Sequence, residues 1–167
     1  MIILREDVPE LSLSAPDLTE LLRDVLQRGA GFRFRASGSS MSPFIKDGDV
    51  ITISPLRPTD LHTGDIAAFT KAPDDRLIVH RIVGTRGELF FIKGDNARSH
   101  DSAIPASRIL GCVTRIERRG RCVRLGLGPW RKVVALLSRF HLLPLLFTPA
   151  RALLKFHGFK TRKPVNA

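Results

Sequence analysis

Between residues 32 and 125 the chain consists of short β-branched, aromatic and aliphatic runs separated by turn residues. This pattern predicts β-strands, because runs of about four to eight such residues bounded by Gly, Asp and Pro are typical of sheets. Segments 84–87 and 118–120 stand where hairpin turns are expected. We therefore predict a mainly β fold with an antiparallel, hairpin-rich sheet. The predicted strands are 32–36, 50–54, 65–70, 77–83, 89–93, 109–118 and 121–125.

Helical patterns flank this region on both sides. Apolar residues recur at helical spacing over residues 16–28, and the glycines that follow would end a helix there. After residue 126 the pattern again favours helices, two short ones separated by prolines. We predict three parts: an N-terminal helical segment (1–31), a β domain (32–125) and a basic amphipathic helical tail (126–167).

The net positive charge of the chain comes from its last third. Residues 1–117 carry 15 basic and 16 acidic side chains, whereas residues 118–167 carry 12 basic side chains and no acidic one. Such a tail indicates a polyanionic partner, either a lipid surface or a nucleic acid. With only one helix before the β region there is no room for a helix-turn-helix, so nucleic acid is the less favoured partner.

The tail also carries apolar and aromatic residues between its cations, and two interpretations remain open. Residues 129–163 could form interfacial helices on an anionic membrane, or a helix pair packed on the β domain. The longest uncharged apolar stretch there, 140–150, is about half of what a membrane span needs. The first ten residues include acidic ones and do not resemble a secretory signal. We therefore expect a cytoplasmic protein, or one peripheral to the inner face of the membrane.

Two cysteines and five histidines give no metal-binding spacing, so we expect no metal or cofactor. Cys112 and Cys122 would fall out of register across the predicted hairpin, which favours reduced thiols.

Three segments contain residues able to carry chemistry. A Ser- and Gly-rich loop before the second strand presents Ser40, the strand 77–83 carries His80 among apolar residues, and a later turn carries Asp95 and Asp101. A serine hydroxyl is a poor nucleophile without a base, and the base in turn needs a group to orient it. These residues could form such a set, although a loop serine and a core histidine are ordinary features taken one by one.

Together these segments resemble the type I signal peptidases. The resemblance rests on four motifs in the same order and spacing: Ser-Gly-Ser-Ser-Met-Ser-Pro at 37–43, Gly-Asp-Ile at 64–66, Val-His-Arg-Ile-Val at 79–83 and Lys-Gly-Asp-Asn at 93–96. It covers residues 32–125 and implies the antiparallel β fold that signal peptidases share with the self-cleaving repressor peptidases.

The resemblance implies a serine endopeptidase that cleaves an extended peptide or leader segment through an acyl-enzyme. Ser40 matches the nucleophile, and His80 matches the base of the branch that uses histidine instead of lysine. Asp101 is the expected orienting residue, with Asp95 as the alternative. The oxyanion and substrate-binding residues would be Ser39, Ser40 and Met41.

Gly38 stands where some family members place an additional hydroxyl donor. Two other activities remain open from the sequence. One is a non-catalytic β interaction module whose basic tail binds nucleic acid or membrane; the other is cleavage of the chain's own N-terminal segment.

Overall fold

The computed structural model of the protein describes residues 14–97, 103–124, 126–140 and 142–143. Within them lie two α-helices, eight β-strands and two short 3-10 turns. The helices are α1 (Ala15–Gln27) and α2 (Arg131–Arg139). The strands are β1 (Phe32–Arg35), β2 (Val50–Ser54), β3 (Ile66–Lys71), β4 (Arg76–Arg86), β5 (Leu89–Lys93), β6 (Ile104–Pro105), β7 (Ile109–Arg118) and β8 (Arg121–Cys122).

The strands form one antiparallel sheet in the order β1-β2-β7-β3-β4-β5-β6, with β8 paired to β7. The predicted mainly β, antiparallel fold is confirmed. The hairpin turn at 118–120 is confirmed as well, but the turn predicted at 84–87 is wrong in position. Strand β4 continues to Arg86, and the chain turns at Gly87, which has a φ of +59° that favours glycine.

The central strand β3 is buried on both faces. Ile66 and Ala68 join one apolar cluster, and Ala67 and Phe69 join a second cluster on the opposite face. Alternate residues of a strand point to opposite sides, so the continuous apolar run of β3 reflects cover on both sides of the sheet.

Helix α1 covers one of these faces. Ser14 caps its N-terminus by accepting a hydrogen bond from the Asp17 backbone N–H at 3.4 Å. Leu22 and Leu26, one helical turn apart, are buried in the same cluster as Ile66 and Ala68. The N-terminal helix thus contributes to the core of the sheet. The predicted division into three domains stays a prediction.

Helix α2 packs on the body of the protein through one face. Val134 is buried in a small cluster with Phe44 and Leu143. The second helix predicted for the tail lies mostly outside the described residues. No helix in the described part of the chain is long and apolar enough to span a bilayer.

Candidate active site

Ser40 and His80 are 40 residues apart in sequence and are in hydrogen-bond contact in the structure. The distance from His80 Nε2 to Ser40 Oγ is 3.0 Å. Ser40 is exposed in the loop between β1 and β2, and His80 is half-buried on β4. This is the geometry that a serine nucleophile and its general base need.

The alternation of β4 sends His80 and Arg81 to opposite sides of the sheet. His80 faces the side of Ser40, and the edge of the Phe69 ring packs against it with 6.3 Å between ring centroids. Arg81 is completely buried on the other side. Strand β4 therefore carries both the candidate base, His80, and a buried charged side chain, Arg81.

The turn after β5 holds the backbone of Ser40 from the other side. The Asn96 backbone N–H donates to the Ser40 carbonyl oxygen at 2.7 Å, and the Asn96 side chain donates to the Ser39 carbonyl at 3.3 Å. Gly94 lies against both catalytic candidates. A Cβ there would be 2.9 Å from the Ser40 carbonyl oxygen and 3.1 Å from His80 Nε2. The close approach of Gly94 and the contacts of Asn96 were not predicted from the sequence, because they depend on how the chain folds.

Asp95 lies in a buried ion pair. The Nε of Arg81 donates to both carboxylate oxygens of Asp95, at 2.9 and 3.1 Å, and Nη2 donates to one of them at 2.8 Å. The remaining nitrogen of Arg81, Nη1, donates to the carbonyls of Gly64 and Gly126. Both side chains of the pair are fully buried. The structure therefore places Asp95, the alternative candidate for orienting His80, in a bidentate contact with Arg81 that ties three segments together. Asp101, the first candidate, lies outside the described residues.

Lys93 adds a second buried cation to this region. Its side chain is fully buried, and its ammonium lies 3.5 Å from the Gly94 carbonyl oxygen. Burial lowers the pKa of Lys93 below its usual 10.5, and the charge of Asp95 acts in the opposite direction. The carboxylate of Asp95 thus interacts with two buried cations, Arg81 and Lys93.

The three residues predicted to stabilise an oxyanion lie in one turn. Among the described residues, no acceptor is bonded to the backbone N–H of Ser40. The side chain of Met41 is buried in the core and anchors the loop, and the Ser39 carbonyl accepts from Asn96. Gly38 has a φ of +98°, a conformation that favours glycine, and its N–H donates to the Asp47 carboxylate at 2.9 Å.

A cleft of about 640 Å³ adjoins Ser40 and His80. Its lining is mostly apolar, and the charged residues among those that line it are two arginines, Arg35 and Arg76. One wall is the β4 segment 76–80 and another is the stretch 34–38. The remaining lining residues are Leu18, Met41, Ile45 and Ile51.

The sequence model of the family described as Peptidase S24-like matches residues 9–114, more than half of the chain. The chain belongs to this family. The match includes Ser40, His80, Asp95 and Asp101, and it ends before α2. No curated protein sequence matches the chain significantly.

Membership of the S24-like family gives the chain a serine-peptidase-type fold, in agreement with the observed sheet. The same family description accommodates serine peptidases and self-cleaving repressor-type proteins.

Other reactive groups lie away from this site. Cys112 is buried and Cys122 is exposed, and the two are not bonded to each other. Cys122 lies opposite Glu117 in the hairpin, so the predicted mismatch in register between the two cysteines is confirmed. Burial, together with the charge of Asp65, raises the pKa of the Cys112 thiol to about 12. Within the described ranges, no group of three His, Cys, Asp or Glu side chains is placed to hold a metal ion.

Proposed function

We propose that the protein is a serine endopeptidase of the signal peptidase I type, with Ser40 as nucleophile and His80 as general base. The observation that carries this proposal is the 3.0 Å contact between His80 Nε2 and Ser40 Oγ. Ser40 and His80 belong to two separate sequence motifs, and their side chains lie at hydrogen-bond distance from each other. The chain that carries them belongs to a family of serine peptidases. A chance pairing of a loop serine with a core histidine has no reason to adjoin a cleft.

The chemistry follows from this pair. Ser40 Oγ attacks the scissile carbonyl carbon while its proton passes to His80 Nε2. The resulting oxyanion accepts a hydrogen bond from the Ser40 backbone N–H, and each such donor contributes about 3 kcal/mol in acyl-transfer enzymes. His80 then protonates the leaving amine, and an acyl-enzyme forms on Ser40. A water molecule, deprotonated by His80, hydrolyses that ester and regenerates the hydroxyl.

The cleft suits a peptide in extended conformation. Segment 76–80 of β4 pairs with β3 on one side, and β5 pairs with β4 only from Arg81 onward. Strand β1 is the edge strand of the sheet. Two strand edges that no described strand occupies therefore border the cleft, and a peptide can add to such an edge through main-chain hydrogen bonds.

The apolar lining of the cleft favours apolar substrate side chains beside the scissile bond. The resemblance to signal peptidases implies a small residue at the cleavage position. The ordered motifs around Ser40 and His80 support the signal peptidase type, and the histidine at position 80 supports its histidine-base branch.

Self-cleavage is a second candidate because the first turn of α1 reaches the cleft. Leu18 of this helix is one of the lining residues, so the N-terminal part of α1 lies beside the cleft that adjoins Ser40. In this variant of the proposal the substrate is a segment of the same molecule that precedes the helix.

A peptide mixture tests the cleavage of a separate substrate. Wild-type protein is incubated with a degenerate set of extended peptides, and products are read by mass spectrometry beside Ser40→Ala and His80→Ala. We expect cleavage after small residues by the wild type and a loss of at least a thousandfold in both variants. Ser54→Ala and His62→Ala, which change the same residue types outside the cleft, should keep full activity.

The intact mass of the isolated protein distinguishes self-cleavage. A truncated product formed at a rate independent of protein concentration, and absent in Ser40→Ala, would assign the intramolecular reaction. Cleavage that persists in Ser40→Ala would contradict the proposal in either form.

A further inference from the structure

Helix α2 is fixed on the protein by its inner face. Val134, Ala135 and Ser138 are buried. At its first turn, Arg131 forms an ion pair with Asp65 at 2.8 Å. The Arg131 backbone also packs so closely on Gly64 that a Cβ there would lie 2.7 Å from it. The opposite face of the helix therefore has a defined orientation, away from the body.

That outer face is apolar. Val133, Leu136 and Phe140 are 47%, 56% and 60% exposed, and Trp130, just before the helix, is 71% exposed. At 3.6 residues per turn the three helix residues fall within an arc of about 60°, opposite the buried residues. A helix at the surface of a globular protein ordinarily presents polar side chains on this side. An apolar stripe in this position indicates a binding surface.

Cations border the apolar stripe. Lys132 and Arg139 are exposed side chains of α2 that lie together along one flank of it. From residue 118 to the end the chain carries 12 basic residues and no acidic one. The stripe is thus an aromatic and aliphatic surface within a part of the sequence whose charged residues are all basic.

We propose that the outer face of α2, defined by Trp130, Val133, Leu136 and Phe140 with Lys132 and Arg139, binds the surface of an anionic lipid bilayer. Tryptophan and phenylalanine enter the boundary between headgroups and acyl chains, while flanking lysine and arginine contact anionic headgroups. Two other occupants fit less well. A second copy of this face would bring like charges together, and a nucleic acid would leave the apolar residues at the centre of the stripe without partners.

Helix α2 lies against the strand that carries His80. Arg139 Nη1 is 3.7 Å from the position of a Cβ on Gly84, and Gly84 follows His80 by four residues on β4, about 13 Å along the strand. The proposal itself concerns binding and does not depend on peptidase activity.

Trp130 is the only tryptophan of the chain, and the chain has no tyrosine, so emission excited at 295 nm, a wavelength chosen for tryptophan, reports this one residue. We would titrate the full-length protein with vesicles of phosphatidylcholine alone and with about 30% phosphatidylserine, and measure emission and cosedimentation. The expected result is a blue shift and binding at least tenfold stronger to the anionic vesicles, weakened as salt is raised.

The double variant Leu136→Ser/Phe140→Ser should lose at least tenfold in vesicle affinity. Its matched control is Leu21→Ser/Leu56→Ser, which removes two similarly exposed apolar side chains elsewhere and should bind like the wild type. Circular dichroism confirms that both fold.

Three results would overturn the proposal: no cosedimentation with anionic vesicles at low salt, equal binding by the Leu136→Ser/Phe140→Ser variant, or a Trp130 emission unchanged on binding. Tight binding to a DNA duplex that protects Trp130 from acrylamide, with no binding to vesicles, would assign the face to nucleic acid and overturn it as well.

Discussion

Replacing Gly94 by Ala tests whether the turn after β5 sets the geometry of the candidate catalytic pair. The new Cβ would lie 2.9 Å from the Ser40 carbonyl oxygen, 3.1 Å from His80 Nε2 and 3.2 Å from the Ala97 Cβ. Gly94 does not have a positive φ, so alanine is compatible with the backbone itself. The perturbation is therefore steric and is directed at both members of the pair.

The size of the effect follows from these distances. Comfortable contacts of a carbon atom begin near 3.5 Å, so Ser40 and His80 must move away from residue 94 by about 0.5 Å. A displacement of 1 Å costs about a hundredfold in rate when groups must be aligned. We expect the acylation of Ser40 to slow by about tenfold. Overpacking would also lower the free energy of unfolding by about 1–3 kcal/mol.

The assay is the rate of acylation by a serine-reactive penem, followed by intact mass, with thermal unfolding measured in parallel. The control is Gly128→Ala, whose Cβ would have, among the described residues, one neighbour within 4 Å, the Arg124 carbonyl oxygen at 3.9 Å. It should acylate at the wild-type rate. A folded Gly94→Ala protein with an unchanged acylation rate would refute the view that this turn positions Ser40 and His80.

Three further predictions concern the ion pairs and thiols. Asp95→Asn leaves Arg81 buried without its counter-charge and should lower the free energy of unfolding by about 3–5 kcal/mol in urea titrations. Burial raises the pKa of the Asp49 carboxyl, but hydrogen bonds from the Arg118 side chain and the Lys46 backbone N–H lower it by more, so the pKa lies below the usual 3.8. The ionised carboxylate of Asp49 therefore stabilises the fold above about pH 4, and this stabilisation is lost as the pH falls through the lowered pKa. The free energy of unfolding of Asp49→Asn should be lower than that of the wild type at neutral pH, and the difference should shrink in acid. Iodoacetamide should modify Cys122 in the native protein and spare Cys112, which intact mass would show as one adduct, and as two after denaturation.

Each of these has its own control or contrary result. Asp75→Asn removes a carboxylate from an exposed ion pair with Arg108 and should cost less than about 1 kcal/mol. If Asp95→Asn lowers the free energy of unfolding by no more than Asp75→Asn does, the buried ion pair of Asp95 and Arg81 does not stabilise the fold more than an exposed pair. If the difference in the free energy of unfolding between the wild type and Asp49→Asn grew towards acid pH, the pKa of Asp49 would be raised in the folded protein and not lowered. Two adducts on the native protein would show Cys112 to be accessible.

Much of the sheet could be predicted because its strands carry local signals. Strands β2, β5 and β7 have the predicted bounds, since each is a run of β-branched or aromatic residues ended by turn residues. Strand β6, only Ile104–Pro105, was missed because two residues give no periodicity. Strand β4 runs past Gly84 since its pairing with β5 outweighs the local turn propensity of a glycine.

The site was predictable only in part, for physical reasons. The sequence singled out Ser40 and His80 because a nucleophile needs a base, and the fold brings them together. Their separation depends on the register of β4 and on the turn at Gly94, which are tertiary properties. The pairing of Asp95 with Arg81 was also hidden, because a carboxylate in a turn gives no sequence signal of a buried partner.

Acylation of the intact protein by a penem tests the assignment of Ser40 as nucleophile and His80 as base, since it requires both groups but no knowledge of the natural substrate. Intact mass is measured for the wild type, Ser40→Ala and His80→Ala, with each protein shown to be folded, and the modified peptide is identified. We predict one adduct on Ser40 of the wild type and none on either variant. A folded wild type that takes no adduct, or an adduct that persists in Ser40→Ala, would contradict the assignment of Ser40 and His80 as a peptidase centre.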